Sequence, residues 1–340
     1  MSDFDPDGPL NAHSLFGLPK HPNPKIEILP IPWEATTSYG RGTRNAPKAI
    51  QNASVQIDLY DLEYGAFWKA GIFMHQQHER HLELSGLAEP IAKMVIEKDG
   101  INCEKEALSV DKMSDEIQEY LYEKSKILIK KEKVVGVLGG DHSCPYGLIK
   151  AASEYYKEDF GILHIDAHLD LRNGYLGFRT SHASIFWHVS KLPNVRKIVG
   201  LGFRDVGERE FHYATSLGVR HRAYYDHELS RRILSGESWL SIVNECIQHL
   251  PQNVHISLDI DGLDPSLCPN TGTPVPGGLS FQQLQLLLFR LSQSRNIVSF
   301  DLCEVSPVLN NEWDANVGAR VLYKMCGAAI ASKRINLAYV

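Results

Sequence analysis

The sequence predicts an α/β protein in which a mainly parallel sheet of about eight strands is covered by helices on both faces. From residue 134 onward, short apolar runs alternate with stretches of helical spacing, the rhythm of strand–helix–strand crossovers. Runs such as Val134 to Leu138, Gly161 to Ile165 and Ile297 to Leu302 are apolar almost without interruption, as strands buried on both faces require. Several of these runs end in Asp or His, and open parallel sheets place their chemistry just beyond the carboxyl ends of the strands.

In chain order, residues 1 to about 24, rich in Asp, Pro, His and Asn, read as an irregular lead-in, with residues 25–340 as one domain. Lys25 to Pro32 is the first strand, and Trp33 to Arg44 a loop whose glycines allow tight turns. A helix follows over Ala46 to Ala53, with Pro47 suited to its first turn. Gly71 to His75 is a short strand. The polar segment from about Gln76 to Asp111 reads as a peripheral excursion. Lys112 to Glu132 carries Ile117, Leu121, Ile127 and Leu128 at helical spacing, and the lysines from Lys124 to Lys133 read as a solvated face. Further strands are expected at Arg196 to Leu201, at Val219 to Ala223 and at Val254 to Ile260. Further helices are expected at Pro145 to Tyr156, Trp239 to Leu250, Ser280 to Leu291 and Asn316 to Ser332.

Composition narrows the function. A net charge of −6, with no basic cluster beyond the helical lysines, argues against a nucleic-acid binder. The apolar runs fall far short of the ~20 residues of a bilayer span, so no membrane partner is expected. The N-terminus lacks an apolar signal region, and the six cysteines are scattered without a Cys-x-x-Cys pair; reduced thiols in a cytoplasmic protein are the simple reading.

Three strand ends finish in metal-ligating residues. His142 follows a double-glycine turn in Gly139-Gly-Asp-His-Ser143. Asp166, His168 and Asp170 recur at every second position, which puts all three on one side of an extended segment. Asp259 and Asp261 alternate with Leu258 and Ile260. Like charges packed this closely repel, and an uncompensated buried charge costs roughly several kcal/mol, so a multivalent cation is the natural remedy. Two imidazoles and four carboxylates without thiolate suit Mn(II), Fe(II), Co(II), Ni(II) or Zn(II). Four carboxylates exceed the needs of one divalent ion and favour two, which together polarise a shared water into hydroxide at neutral pH.

With these motifs, the chain resembles the arginase–agmatinase (ureohydrolase) family. The likeness also includes Pro32-Trp-Glu-Ala-Thr-Thr-Ser-Tyr39, Thr271-Gly-Thr-Pro-Val-Pro-Gly-Gly278 and Asp301-Leu-Cys-Glu-Val-Ser-Pro307, and so covers most of the chain. It implies a three-layer α/β/α fold, two manganese ions and hydrolysis of a guanidino group to urea and an amine by a metal-bridging hydroxide. Nickel stays open, since the ligand set discriminates poorly. By the resemblance, His142, Asp166, Asp170 and Asp259 hold one ion. His168, Asp166, Asp259 and Asp261 hold the other. Glu304 matches the guanidinium-binding glutamate. His182, in Thr180-Ser-His-Ala-Ser184, matches the loop histidine that shuttles a proton, although Ala183 stands where many relatives carry glycine. A small guanidino substrate and a homo-oligomer, trimer or hexamer, are also implied.

Arginases resemble one another in an asparagine two residues after the last aspartate and a serine four before the histidine, which bind the amino-acid head. Arg172 and Phe178 occupy those places here, so the resemblance is to agmatinases, which release putrescine and urea. Arg172 or Arg179, if turned into the pocket, would instead favour a carboxylate tail; paired with neighbouring acids, they would be structural. Arginine, guanidino acids and free guanidine are the runner-up substrates. A non-catalytic metal-binding relative would have lost ligands, and a single-zinc amidohydrolase would need fewer.

Overall fold

The computed structural model describes residues 4–8 and 13–332. One sheet organises them: β1 (Ile26–Ile31), β2 (Ile72–Met74), β3 (Val134–Gly139), β4 (Phe160–Ile165), β5 (Lys197–Phe203), β6 (His221–Tyr225), β7 (Asn253–Asp259) and β8 (Asn296–Cys303). The order is β2-β1-β3-β8-β7-β4-β5-β6, and every pairing is parallel rather than mainly so. The strands lie where the sequence places them, with β6 displaced by two residues from the weak candidate at 219–223.

Helices α1 (Ala46–Ala53), α2 (Glu79–Glu97), α3 (Glu104–Lys130), α4 (Tyr146–Tyr156), α5 (Ile185–Ser190), α6 (Glu208–Ser216), α7 (Asp226–Leu234), α8 (Trp239–Gln248), α9 (Phe281–Ser292) and α10 (Trp313–Ala331) form two layers. One packs α1, α7, α8, α9 and α10 against one sheet face; the other packs α2 to α6 against the opposite face. Strand alternation feeds both: Leu163 and Ile165 face the first layer, Phe160 and Ile162 the second. Local chemistry sets the helix ends. The Ser280 hydroxyl accepts the Gln283 N–H at 3.1 Å while the Gln283 side chain accepts the Ser280 N–H at 2.8 Å, a reciprocal cap that starts α9.

Two expectations are corrected. The 76–111 segment is not a peripheral excursion: it holds all of α2 and the start of α3, which begins at Glu104 rather than Lys112. Its inward stripe is His81, Leu84, Ser85, Ala88, Ala92 and Val95, helical in spacing but too small and polar to register as apolar periodicity. The lead-in is not wholly irregular. Residues 1–3 and 9–12 lie outside the described residues, yet Leu15, Phe16 and Leu18 are buried, with Phe16 edge-on to Tyr323 at 4.8 Å. The short helices α5 to α7 have no counterpart in the sequence reading.

The double-glycine turn after β3 is forced by space. A Cβ on Gly140 would fall directly against the Trp33 carbonyl, because β1 and β3 converge there and the Gly140 N–H donates to Ile31 O at 2.9 Å. We expect Gly140→Ala to cost about 3 kcal/mol or more, read as a lower urea midpoint with unchanged slope. On α2, His81 is buried with Nδ1 unpartnered and stacks on His78 at 4.9 Å. Burial, then the charge of His78, pushes its pKa down to about 4. The unfolded chain, with histidine near its ordinary value of about 6.5, takes up this proton first. The stability His81 contributes is therefore present above that pH and is lost as pH falls toward 4. Denaturant midpoints should fall over this window, and His81→Phe should shrink the fall.

Candidate functional site

The carboxyl ends of β3, β8, β7 and β4, the four adjacent central strands, build one cleft. His142, His168, Asp170, His182, Asp259, Asp261 and Glu304 line it. Asp166, fully buried at its base, touches His142 and His168. All eight residues singled out from the sequence therefore meet.

They meet in two groups. His142 Nδ1 lies 3.0 Å from Asp166 Oδ2, 3.2 Å from Asp170 Oδ2 and 3.4 Å from Asp259 Oδ2. That nitrogen is buried and makes no hydrogen bond. Three carboxylate oxygens converging on an imidazole nitrogen without aligned hydrogen bonds are donors of the kind that divalent cations take. His168 Nδ1 lies 3.0 Å from Asp261 Oδ2 and 3.6 Å from Asp166 Oδ1. Asp166 thus turns one oxygen to each imidazole, and the cluster can hold metal ions.

Charge and burial act on each other here. Burial and the Asp166 charge push Asp170 up to about 7, and burial with Asp261 and Asp166 pushes Asp259 well above its ordinary range. Burial would raise Asp166 as well, but contacts to His142, His164 and His168 hold it well below. Desolvation pulls on His168, yet its contacts to Asp166 and Asp261 carry it up to about 12. The opposed directions follow from packing several carboxylates and three imidazoles into one buried cluster. Asp170 and Glu304 also adopt left-handed backbone (φ 53° and 62°), a conformation costing about 1–2 kcal/mol for each such residue.

Glu304 is 5% exposed. Its Oε1 accepts the His142 N–H at 2.9 Å, while Oε2 is buried with no hydrogen-bond partner. Burial, then the nearby Asp141 charge, raises its pKa well above the ordinary range. His182 Nδ1 lies 3.1 Å from Thr36 Oγ1, and burial with the neighbouring His168 charge lowers its pKa to about 3. The His182 loop is hung from α3: buried Asp111 accepts the N–H groups of Arg179 and Thr180 at 3.1 and 3.0 Å.

The two arginines differ. The Arg179 guanidinium pairs with Asp115 at 2.7 Å, away from the cleft. Arg172 does line the cleft, but its Nε donates to Glu210 at 3.2 Å and its guanidinium lies 4.8 Å from the Tyr175 ring centre. Phe178 is buried in the core.

Sequence reasoning missed the support beneath the cluster. His164 Nε2 bonds Asp166 Oδ2 at 2.8 Å, and its ring stacks on Phe186 at 3.6 Å. His142 Nε2 bonds Ser257 Oγ at 2.9 Å; Ser257 donates to Asp301 at 3.1 Å, and His255 Nε2 bonds the other Asp301 oxygen at 2.7 Å. The signal was present, since His255 and Ser257 share the period-2 face of Asp259, as Ser299 and Asp301 do on β8. Asp141 is not among the converging ligands: it accepts N–H groups from Ala35 at 3.1 Å and Ser143 at 3.0 Å, fixing the turn.

A family model described as "Arginase family" matches residues 24–327. An N(1)-aminopropylagmatine ureohydrolase of Thermus thermophilus is 31% identical over 304 residues, 89% of each chain. An agmatinase of Pyrococcus horikoshii is 26% identical, over 88% of this chain and 90% of its own. The solved agmatine ureohydrolase of Thermoplasma volcanium shares the fold with a TM-score of 0.70 at 23% identity, covering 91% of each chain. Its fold, its cluster of imidazoles and carboxylates and these likenesses agree: the chain belongs to the arginase family.

Proposed function

We propose that this chain is a binuclear metal hydrolase that cleaves a guanidino group to urea and an amine. The observation that carries the proposal is Asp166, which turns one oxygen toward His142 and the other toward His168. The ligand sets are His142, Asp166, Asp170 and Asp259 for one ion, and His168, Asp166, Asp259 and Asp261 for the other, with manganese as the proposed metal. Bound there, the two divalent cations supply Lewis acidity and a nucleophile drawn from water.

The rest falls to side chains. Glu304 offers its unpaired Oε2 to the cationic guanidinium and orients the carbon under attack. Holding that carbon in place turns an encounter into a positioned reaction. His182, at the cleft wall, transfers a proton to the departing amine nitrogen.

The tail of the substrate is read from the remaining charges. Outside the proposed ligands and Glu304, which serves the guanidinium, the cleft is lined by the acids Asp205 and Glu210 and by one arginine, Arg172, which Glu210 already engages. This balance supports a substrate with a second positive charge over one ending in a carboxylate. We therefore propose agmatine or its N(1)-aminopropyl derivative, in keeping with the activities for which the relatives are named. We also propose residues 25–340 as one domain, a homo-oligomer of three or six copies, and a cytoplasmic location; the six buried, unpaired cysteines support the last.

Manganese-loaded protein should release urea from one or both amines, and chelation or Asp259→Asn should reduce release to background while the fold persists by circular dichroism. Cleavage of arginine, a guanidino acid or free guanidine in their place would overturn the substrate assignment, and greater activity with nickel the metal. Glu304→Gln should lower kcat/KM by about 10²-fold, because the guanidinium loses its buried counter-charge; an unchanged value would remove Glu304 from the site.

A further inference from the structure

The loop after β1 reaches across the cleft to the residue that the proposed proton transfer depends on. Thr36, 1% exposed, has its hydroxyl oxygen 3.1 Å from His182 Nδ1, and the same oxygen accepts the His182 backbone N–H at 3.3 Å. One side chain thus holds both the ring and the main chain of His182. The loop carrying Thr36 is pinned. Glu34 accepts the N–H groups of Gly42 and Arg44 at 3.0 and 3.1 Å, and the Ala35 N–H donates to Asp141 at 3.1 Å. The ring of Tyr175 meets His182 edge-on at 5.7 Å and 86°.

An imidazole that shuttles a proton needs one nitrogen for the transfer and a fixed partner for the other. A carboxylate on Nδ1 would favour the charged ring and hold its proton back. A hydroxyl is neutral and directional. Accepting Nδ1–H, it keeps that proton in place whether the ring is cationic or neutral, so gain and loss both occur at Nε2.

We propose that Thr36 is a positioning residue for His182: its hydroxyl accepts Nδ1–H, turns the ring, and makes Nε2 the nitrogen that serves the departing amine. The inference rests on the reading of His182 as the proton carrier. In the step, the ring starts neutral: as the water oxygen bonds to the guanidino carbon, a proton of that water passes to Nε2, and as the carbon–nitrogen bond to the amine breaks, that proton passes to the leaving nitrogen. The ring ends neutral, as it began.

Metal-loaded wild type, Thr36→Val, Thr36→Ser, His182→Ala and the Thr36→Val/His182→Ala double variant are compared for kcat and KM in urea release from agmatine. Thr36→Val removes the hydroxyl at nearly constant shape and should lower kcat about tenfold or more, with KM within about twofold. Thr36→Ser keeps the hydroxyl and should stay within about threefold of wild type. In the His182→Ala background, Thr36→Val should change nothing further, since the group it positions is gone. A further fall there equal to that in wild type, or a Thr36→Ser variant as slow as Thr36→Val, would overturn the inference alone. Wild-type turnover by His182→Ala would overturn the reading of His182 and this inference together.

Discussion

Four aspartates and two histidines crowd into one largely buried space, and much else in the molecule follows from keeping them there. Their ligand atoms approach to between 3.0 and 3.6 Å. Carboxylates gathered around shared imidazoles repel one another in a low-dielectric interior, and the imidazoles do not neutralise all four. A chain that folds around this arrangement must hold it against its own electrostatics, and the surrounding structure does so from every direction.

From below, the sheet itself is the brace. β7 and β8 turn apolar residues toward the α8–α10 layer and a polar row toward the α4–α5 side, where Ser257, Asp301, His255 and Ser299 form a closed network under His142. A buried polar network of this kind is costly when partly satisfied and rigid when complete, so it fixes the imidazole's direction as well as its place. From above, the cluster's rim is tied to backbone. The Arg204 guanidinium donates to the carbonyls of Asp261, Leu263 and Val275, stitching the ends of β5 and β7 to the 271–278 loop. Left-handed backbone at Asp170 and Glu304 is held by main-chain bonds: the Trp187 N–H donates to Asp170 O at 3.1 Å and the Glu304 N–H to Gly140 O at 2.9 Å.

Legibility in the sequence followed the physics of burial. Central strands were plain because double-sided burial leaves continuous apolar runs, and the ligands were plain because ionisable residues interrupt those runs at period 2. Helix α2 was hidden because its inward stripe uses Ala88, Ala92 and Ser85, and tight helix packing there needs small side chains rather than large apolar ones. Arg172 could not be resolved from sequence at all. Its meaning depends on Glu210, thirty-eight residues away, which reaches back from the first turn of α6. Thr36 and His182, one hundred and forty-six residues apart, pose the same difficulty. Residues that act through a partner distant in the chain leave no local pattern.

The attachment of the 179–182 loop to α3 divides the molecule into two inheritances. The cation platform belongs to the sheet, and little there can change without unsettling buried charge. The loop that carries His182 hangs instead from Asp111 and Asp115 on a helix outside the sheet, with Gly100 packed against the backbone of Leu176 and Gly177. Drift in that helical pair would move His182 and its loop against a cation platform that the sheet keeps still, so the two halves of the proposed chemistry answer to different parts of the fold.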